Sequence, residues 1–531
     1  MSTREGVPQS RGLLLAGGLI ALVGAIILTA AVTSRPNASP SPSAPAASLS
    51  APPSSAPPSP SAPSPSPSGS PSPPGPSPSP PPLAIDVRIS GDDPFVACRA
   101  GGPGRNFLSS EVEPYVTANP TDPANIVAAW QQDRWSNGGA RGILNAVTHD
   151  GGRTWRSSTP AFTTCSAGQP GASSYPRASD PWVVFGPDGV VYETALAVDT
   201  ERDRTAVLVS KSTDGGDTWS TPLALAQNAG TRFNDKQSVA IDPRDADLVY
   251  VVWDRTTGSE EAPGGQSQPA RGDILLARSS DGGTSWEPAR TIAQPSGVPV
   301  GNVMAVLPDD VLVDMFELVV DTPRGRQASE SFIRSEDGGR TWSAPKPIAP
   351  VVGRELTSPL TGNPIRSGHG LPSLATEASS RRVVVTWSDA RFAALGAASV
   401  NVAVSEDRGK TWSEPAKVPP GARARFAFTP SVAIAANGTI GVSYYRMWVS
   451  GGKLLTDRNL ATSRDGKTWR EQRLTDVSFD LAFAPDAFGL FLGDYAGLAP
   501  IGDRFLAVFA TTNPNVRNTT RMLAVSGEAT P

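Results

Sequence analysis

Thr148-His-Asp150-Gly-Gly152-Arg-Thr154-Trp155 is written six times along this chain with small changes. Further copies occupy residues 212–219, 279–286, 335–342 and 405–412, and a sixth, one residue shorter, occupies 463–469. The shared pattern is Ser/Thr-x-Asp-x-Gly-x-Thr/Ser-Trp, and each position has a mechanical task. The carboxylate can accept several backbone N–H groups of its own tight turn. Glycine supplies a left-handed backbone position, and the hydroxyls close the loop. The tryptophan covers the turn and packs on a neighbouring sheet.

The repeated aspartates Asp150, Asp214, Asp281, Asp337, Asp407 and Asp465 lie 64, 67, 56, 70 and 58 residues apart. Repeats with a period of about 20–50 residues mark solenoids and propellers, and four strands with generous loops account for a longer unit. The second unit is the most legible. It reads Pro181 to Phe185 as an inner strand, Pro187-Asp-Gly189 as a turn, then strands near 190–197, 205–210 and 222–225. Short β-branched and aromatic runs between Gly, Pro and Asp turns are what an antiparallel meander requires. Comparable first strands start near Glu113, Asp235, Asn302, Gly370, Thr429 and Asp494. The last unit has no such turn and ends before an outer strand; residues 84–90 would supply it and close the ring, leaving no exposed edge. The expected fold is therefore all-β, a seven-bladed propeller with six blades as the alternative.

The turn pattern resembles the Asp box, and over residues 84–531 the chain resembles the sialidase-like β-propellers that carry it. In that family the boxes lie away from the active face. Loops joining second to third strands, and blade to blade, share the other face. Here those positions read Gln131-Gln-Asp133-Arg134, Asp254-Arg255, Asp389-Ala-Arg391 and Tyr445-Arg446 after second strands. Glu111-Val-Glu113, Arg177-Ala-Ser-Asp180, Asn234-Asp235-Lys236, His369 and Gly493-Asp494-Tyr495 precede first strands. Alternating charges around one mouth are a functional-site signal. The recurring Asp254/Arg255 and Asp389/Arg391 pairs read better as ion pairs that pin blades, whereas Arg177, His369, Arg458 and Tyr495 fall outside the repeat.

Sialidases hold a carboxylate with three arginines and use a tyrosine nucleophile, a glutamate that activates it, and an aspartate acid/base. Guanidinium forks match a carboxylate. Arg458-Asn-Leu460 resembles the family's arginine before the last box, Asp494-Tyr495 resembles the tyrosine stretch, and Arg446 could stand as another arginine. The resemblance thus implies Tyr495, Asp133 and Glu113 as catalytic groups and Arg134, Arg177, His369, Arg446, Arg458 and Asp494 as ligand-binding groups. Where the family has its first-blade arginine, this chain has Val112-Glu113-Pro114. A carboxylate there would repel sialic acid.

The composition narrows the remaining classes. Net charge is −4 with no basic block, which argues against a nucleic-acid partner. Two histidines leave little for a Ser-His-Asp triad or a histidine zinc site. No glycine-rich phosphate loop opens a helix. No metal or cofactor is expected; mouth carboxylates could hold Ca²⁺, but no loop motif supports it.

Residues 13–32 form an apolar run after Arg4 and Arg11. Its length, about that of a membrane span, predicts a signal-anchor helix at 13–33, with residues 1–12 cytoplasmic and the rest outside. A cleaved signal at Ala30 and Ala31 is the alternative, giving a secreted protein. Residues 34–83 are almost entirely Pro, Ser, Ala and Gly, a disordered stalk reaching on the order of 100 Å as polyproline II. Cys98 and Cys165 would lie in neighbouring blade-to-blade loops, and an exported chain with an even cysteine count is expected to pair them. The reading is a membrane-anchored, monomeric propeller on the cell surface that binds or hydrolyses glycans, with an exo-α-sialidase-like activity in view. The alternative is a non-catalytic propeller for an extracellular protein partner.

Overall fold

The computed structural model describes residues 87–529, apart from 167–170, 259–260, 263–265, 268–270, 354, 378–380, 394–396 and 420–425. The cytoplasmic, membrane-anchor and stalk assignments for residues 1–83 lie outside the described residues. Among those described, no helix is long and apolar enough to cross a membrane. The helical pieces among them are two 3₁₀ turns, Thr164–Ser166 and Leu481–Phe483.

The described residues contain seven four-stranded antiparallel meanders. In the second, Arg177–Phe185, Val191–Asp199, Arg204–Ser212 and Leu223–Ala229 pair in sequence order. The seventh is built from Gly497–Ile501, Arg504–Thr512 and Thr520–Glu528, and its outer strand is Val87–Arg88, with Val87 opposite Ala524. The expected closing strand therefore pairs with the last described strand, in the same sheet. First strands pack on one another in cyclic order, from Glu111–Ala118 through Arg177–Phe185, Arg232–Asp242, Val298–Leu307, Ser373–Thr376 and Phe426–Ile434 to Gly497–Ile501, which packs back on Glu111–Ala118.

Alternating side chains of each sheet fill the space towards its neighbours. Trp130, Trp253, Trp387 and Tyr444 occupy the same place in four second strands and are fully buried. The six turns work as their residues dictate. In the fourth, Asp337 accepts the Thr341 N–H (2.8 Å), the Ser335 hydroxyl (2.8 Å) and the Thr341 hydroxyl (2.6 Å). Gly338 and Gly339 have φ of 65° and 81°, and Trp342 donates to the Gly339 carbonyl while packing on the core between sheets. The Thr341 bonds hold the Asp337 carboxyl at about 2.

Cys98 and Cys165 form a disulfide with Cα atoms 5.4 Å apart. The segment after Cys98 lies along the turn that follows Ile126–Arg134: Phe107 N donates to Arg134 O, and Ser136 N to Arg105 O.

Candidate functional site

Five first strands slip register at the same point, between Val112 and Tyr115, Ser179 and Trp182, Asp235 and Ser238, Val300 and Val303, and Phe428 and Ser431. The extra residue takes a left-handed conformation: Glu113 (φ 53°), Asp180 (53°), Lys236 (47°), Gly301 (76°) and Thr429 (49°). A bulge re-aims a side chain, and a left-handed non-glycine residue costs on the order of 1 kcal/mol or more, which functional sites tolerate. Three of these five residues are charged, and they meet.

Lys236 is the hub. Its ammonium lies 2.8 Å from Asp180, 2.8 Å from Asp494 and 3.4 Å from Glu113. Asp494 is also gripped by both nitrogens of the Arg366 fork, Nε at 2.9 Å. Arg366 arrives on an insertion outside the repeat: Leu356–Thr357 pairs with Pro364–Arg366, which runs parallel to Leu490–Phe491. Phe491 lies between two guanidiniums, Arg366 at 4.3 Å and Arg134 at 4.9 Å from its ring centre. Glu113 accepts the Asp494 N–H (3.2 Å) and a bond from Gln131, whose carbonyl oxygen takes the Arg134 fork at 2.5 Å.

This arrangement drives neighbouring carboxyls apart. Burial works to raise Asp494, but Arg366 and Lys236 outweigh it and hold the carboxylate well below its usual range. Burial raises Glu113 well above its usual range, with Lys236 only partly opposing it. Glu355, just before the insertion, is exposed yet closely walled in. Desolvation pushes it up to about 7 although Ser367 donates both N–H and hydroxyl to it. Glu317 is raised to about 8 by burial and by Glu355. Beside the ion cluster sits an aromatic group: Tyr115 and Trp182 stack at 3.8 Å, and Tyr495 meets Trp182 edge-on at 5.6 Å. The Tyr495 hydroxyl donates to the Pro181 carbonyl (3.0 Å), and burial raises its pKa well above the usual value.

Of the residues singled out from the sequence, Glu113, Asp494, Tyr495 and Arg134 come together here. Arg458, Arg177, Arg446 and Asp133 make their contacts outside the cluster, while His369 follows Gly368, which abuts the Asp494 carbonyl. Arg458 is fully buried in the sixth sheet, donating to the Ser443 and Ser431 hydroxyls and to the Thr429 and Ser443 carbonyls. Arg177 stacks on Trp135 at 4.1 Å and holds the Pro103 and Gly138 carbonyls. Arg446 pairs with Asp457 and Glu471. Asp133 accepts the Ser109 N–H (2.7 Å) and pairs with Arg141 (3.3 Å), and none of its partners touches Lys236. Both ring nitrogens of His369 are buried without a hydrogen-bond partner. Arg391 pairs with Asp389 as its spacing suggests, whereas Arg255 pairs with Asp273 and Asp254 accepts the Gly301 N–H of the next sheet. Lys236 and Asp180 had stood in the first-strand stretches without a role, and Arg366 carried no sequence signal. No group of three or more His, Cys, Asp or Glu among the described residues has metal-holding geometry.

An all-β protein of antiparallel meanders, with ionisable groups crowded at the bulged ends of its first strands, is the class that fold and site define. No protein-family model matches the chain. It is 26% identical over 294 residues to a xyloglucanase from Hypocrea jecorina (strain QM6a), a match taking in 52% of this chain. The chain spans about a third of the length of that curated relative, the matched share being 31%. Similar solved structures include the NanB sialidase from Streptococcus pneumoniae (TM-score 0.44, 9% identity, 84% of this chain and 98% of that one). An α-L-arabinanase of Penicillium chrysogenum also matches (0.44, 12%, 75% and 100%), as does the α-L-arabinofuranosidase Arb93A of Fusarium graminearum (0.41, 12%, 84% and 98%). At these identities the likeness carries no chemistry, so the functional argument rests on the site.

Proposed function

We propose that residues 84–531 form a closed seven-bladed propeller that hydrolyses glycans at the mouth around Lys236. The supporting observation is the split among neighbouring carboxyls: Asp494 is held ionised by Arg366 and Lys236, while burial makes Glu113 and Glu355 retain protons far longer. Glycoside hydrolysis needs this division of labour, one ionised carboxylate to meet positive charge at the anomeric carbon and one protonated carboxyl for the leaving oxygen. Tyr115, Trp182 and Tyr495 would give the sugar an apolar face to lie on. In this reading Tyr495 serves as a wall, since its hydroxyl is spent on Pro181. Residues 13–33 would anchor the propeller to a membrane and 34–83 would hold it away from the surface.

The second reading is a non-catalytic binding module. It is favoured by the completeness of the pairing around Lys236 and by Glu113 having no exposed surface. A panel of aryl glycosides (α-sialoside, α-L-arabinofuranoside, β-glucoside) with arabinan and xyloglucan oligosaccharides, offered to the full chain, separates the two. Hydrolysis of at least one class is expected. Binding of an oligosaccharide without turnover of any would establish the module and end the hydrolase reading.

A further inference from the structure

We propose that Glu355 is the residue that protonates the leaving oxygen, because the Arg366 insertion carries this exposed carboxyl to the flank of Asp494. The assignment rests on the hydrolase reading above and goes further by choosing among the carboxyls of the mouth. Three observations carry it. First, Leu356 pairs with Ile365, which sets Glu355 opposite Arg366, the residue that grips Asp494. Second, the insertion docks on the Asp494 backbone so closely that a side chain on Gly368 (φ 63°) would run into the Asp494 carbonyl, so Glu355 is positioned by the same short stretch. Both Glu355 oxygens are steadied by Ser367, the residue between Arg366 and Gly368. Third, access differs. Glu113 has no exposed side-chain surface and is held by the Lys236 ammonium at 3.4 Å, whereas Glu355 is exposed. A proton donor must come within about 3 Å of the oxygen it protonates. Glu113 instead orients Asp494, through the Asp494 N–H, and anchors Lys236.

The steps balance with water as the second reactant. The bond between the anomeric carbon and the leaving oxygen breaks, its electron pair stays with that oxygen, and the Glu355 proton moves onto it. The Asp494 carboxylate bonds to the anomeric carbon. Water then attacks that carbon, the Asp494 bond breaks with its pair returning to the carboxylate, and the water proton passes to Glu355. Both residues end as they began, and the anomeric configuration is retained. The charged groups facing Glu355 are Asp494 and Glu317, which favour its protonated form, and Arg366, which opposes it.

Glu355→Gln and Glu113→Gln are compared across leaving groups. With a sugar or alkyl leaving group, Glu355→Gln should lose on the order of 10²–10⁴ in kcat/KM. With dinitrophenolate, which departs without a proton, the loss should shrink to within tenfold. The alkaline limb of the wild-type pH profile, near 7, should disappear in Glu355→Gln. Glu113→Gln should lower all substrates by a similar factor, as a positioning residue would. A Glu355→Gln loss that is equal for all leaving groups, with the limb intact, overturns the assignment while leaving a working hydrolase. Absence of wild-type turnover on every substrate overturns the hydrolase reading and this assignment with it.

Discussion

Replacing Lys236 by Met should destabilise the protein in a way that depends steeply on pH. The side chain has only 10% of its surface exposed, and its ammonium faces Asp180, Asp494 and Glu113 at 2.8, 2.8 and 3.4 Å. Removing one partner of a buried ion pair costs about 3–5 kcal/mol, because the remaining charge is left uncompensated. Here three carboxyls lose their shared counter-ion, and Arg366 can serve only Asp494. Wild-type Lys236 is raised well above 10.5, so its contribution is complete below that value and level between pH 5 and 8. In Lys236→Met the orphaned carboxyls take raised folded pKa values. A group raised on folding supports stability below its unfolded pKa and loses that support as pH rises through the folded value. The variant should therefore lie within about 1–2 kcal/mol of wild type at pH 5 and about 3–5 kcal/mol below it at pH 8. Urea unfolding at both pH values reads the difference directly. An equal loss at pH 5 and pH 8 would refute the idea that Lys236 acts as counter-ion to the cluster.

Two further perturbations test other parts of the structure. Cys98→Ala with Cys165→Ala opens a link spanning 67 residues of sequence and should lower stability by up to about 4 kcal/mol, read by chemical denaturation, because the unfolded chain regains closure entropy. Alkylation of both thiols without reductant in the wild-type protein would contradict the bridge. Glu317, 7% exposed and opposite Glu330 on the next strand, has its folded pKa raised from 4.5 to about 8. Wild-type stability should accordingly fall as pH rises from about 4.5 to 8, by up to about 5 kcal/mol from this group, and Glu317→Gln should flatten that slope. An unchanged slope would show that Glu317 is not held protonated.

The antiparallel meanders were legible because their signals are local and repeated. A carboxylate, a glycine and two hydroxyls at fixed spacing leave one turn open to them, and six such turns space the sheets. The closing strand was legible for the opposite reason: the last unit lacked an outer strand, and residues 84–90 lacked a sheet. The site was only half legible. Glu113 and Asp494 can be named from sequence because charges precede first strands, but the bulges that turn Glu113, Asp180 and Lys236 toward one another depend on strand register, which the sequence does not display. Arg366 reaches Asp494 across 128 residues of chain on a hairpin outside the repeat, so no spacing announces it. Arg458 and Arg177 make structural contacts that their sequence setting does not announce. A buried arginine satisfied by carbonyls, hydroxyls and an aromatic face looks, in sequence, like an arginine waiting for a ligand.

The most direct test of the central claim compares wild type and Asp494→Asn on whichever glycoside the wild type turns over, with unfolding curves confirming that both remain folded. If the ionised Asp494 carboxylate meets the anomeric carbon, kcat/KM should fall on the order of 10³-fold or more, since the neutral amide can neither bond to that carbon nor balance its charge. A folded Asp494→Asn protein that keeps activity within tenfold of wild type would contradict the account and move the chemistry away from Lys236.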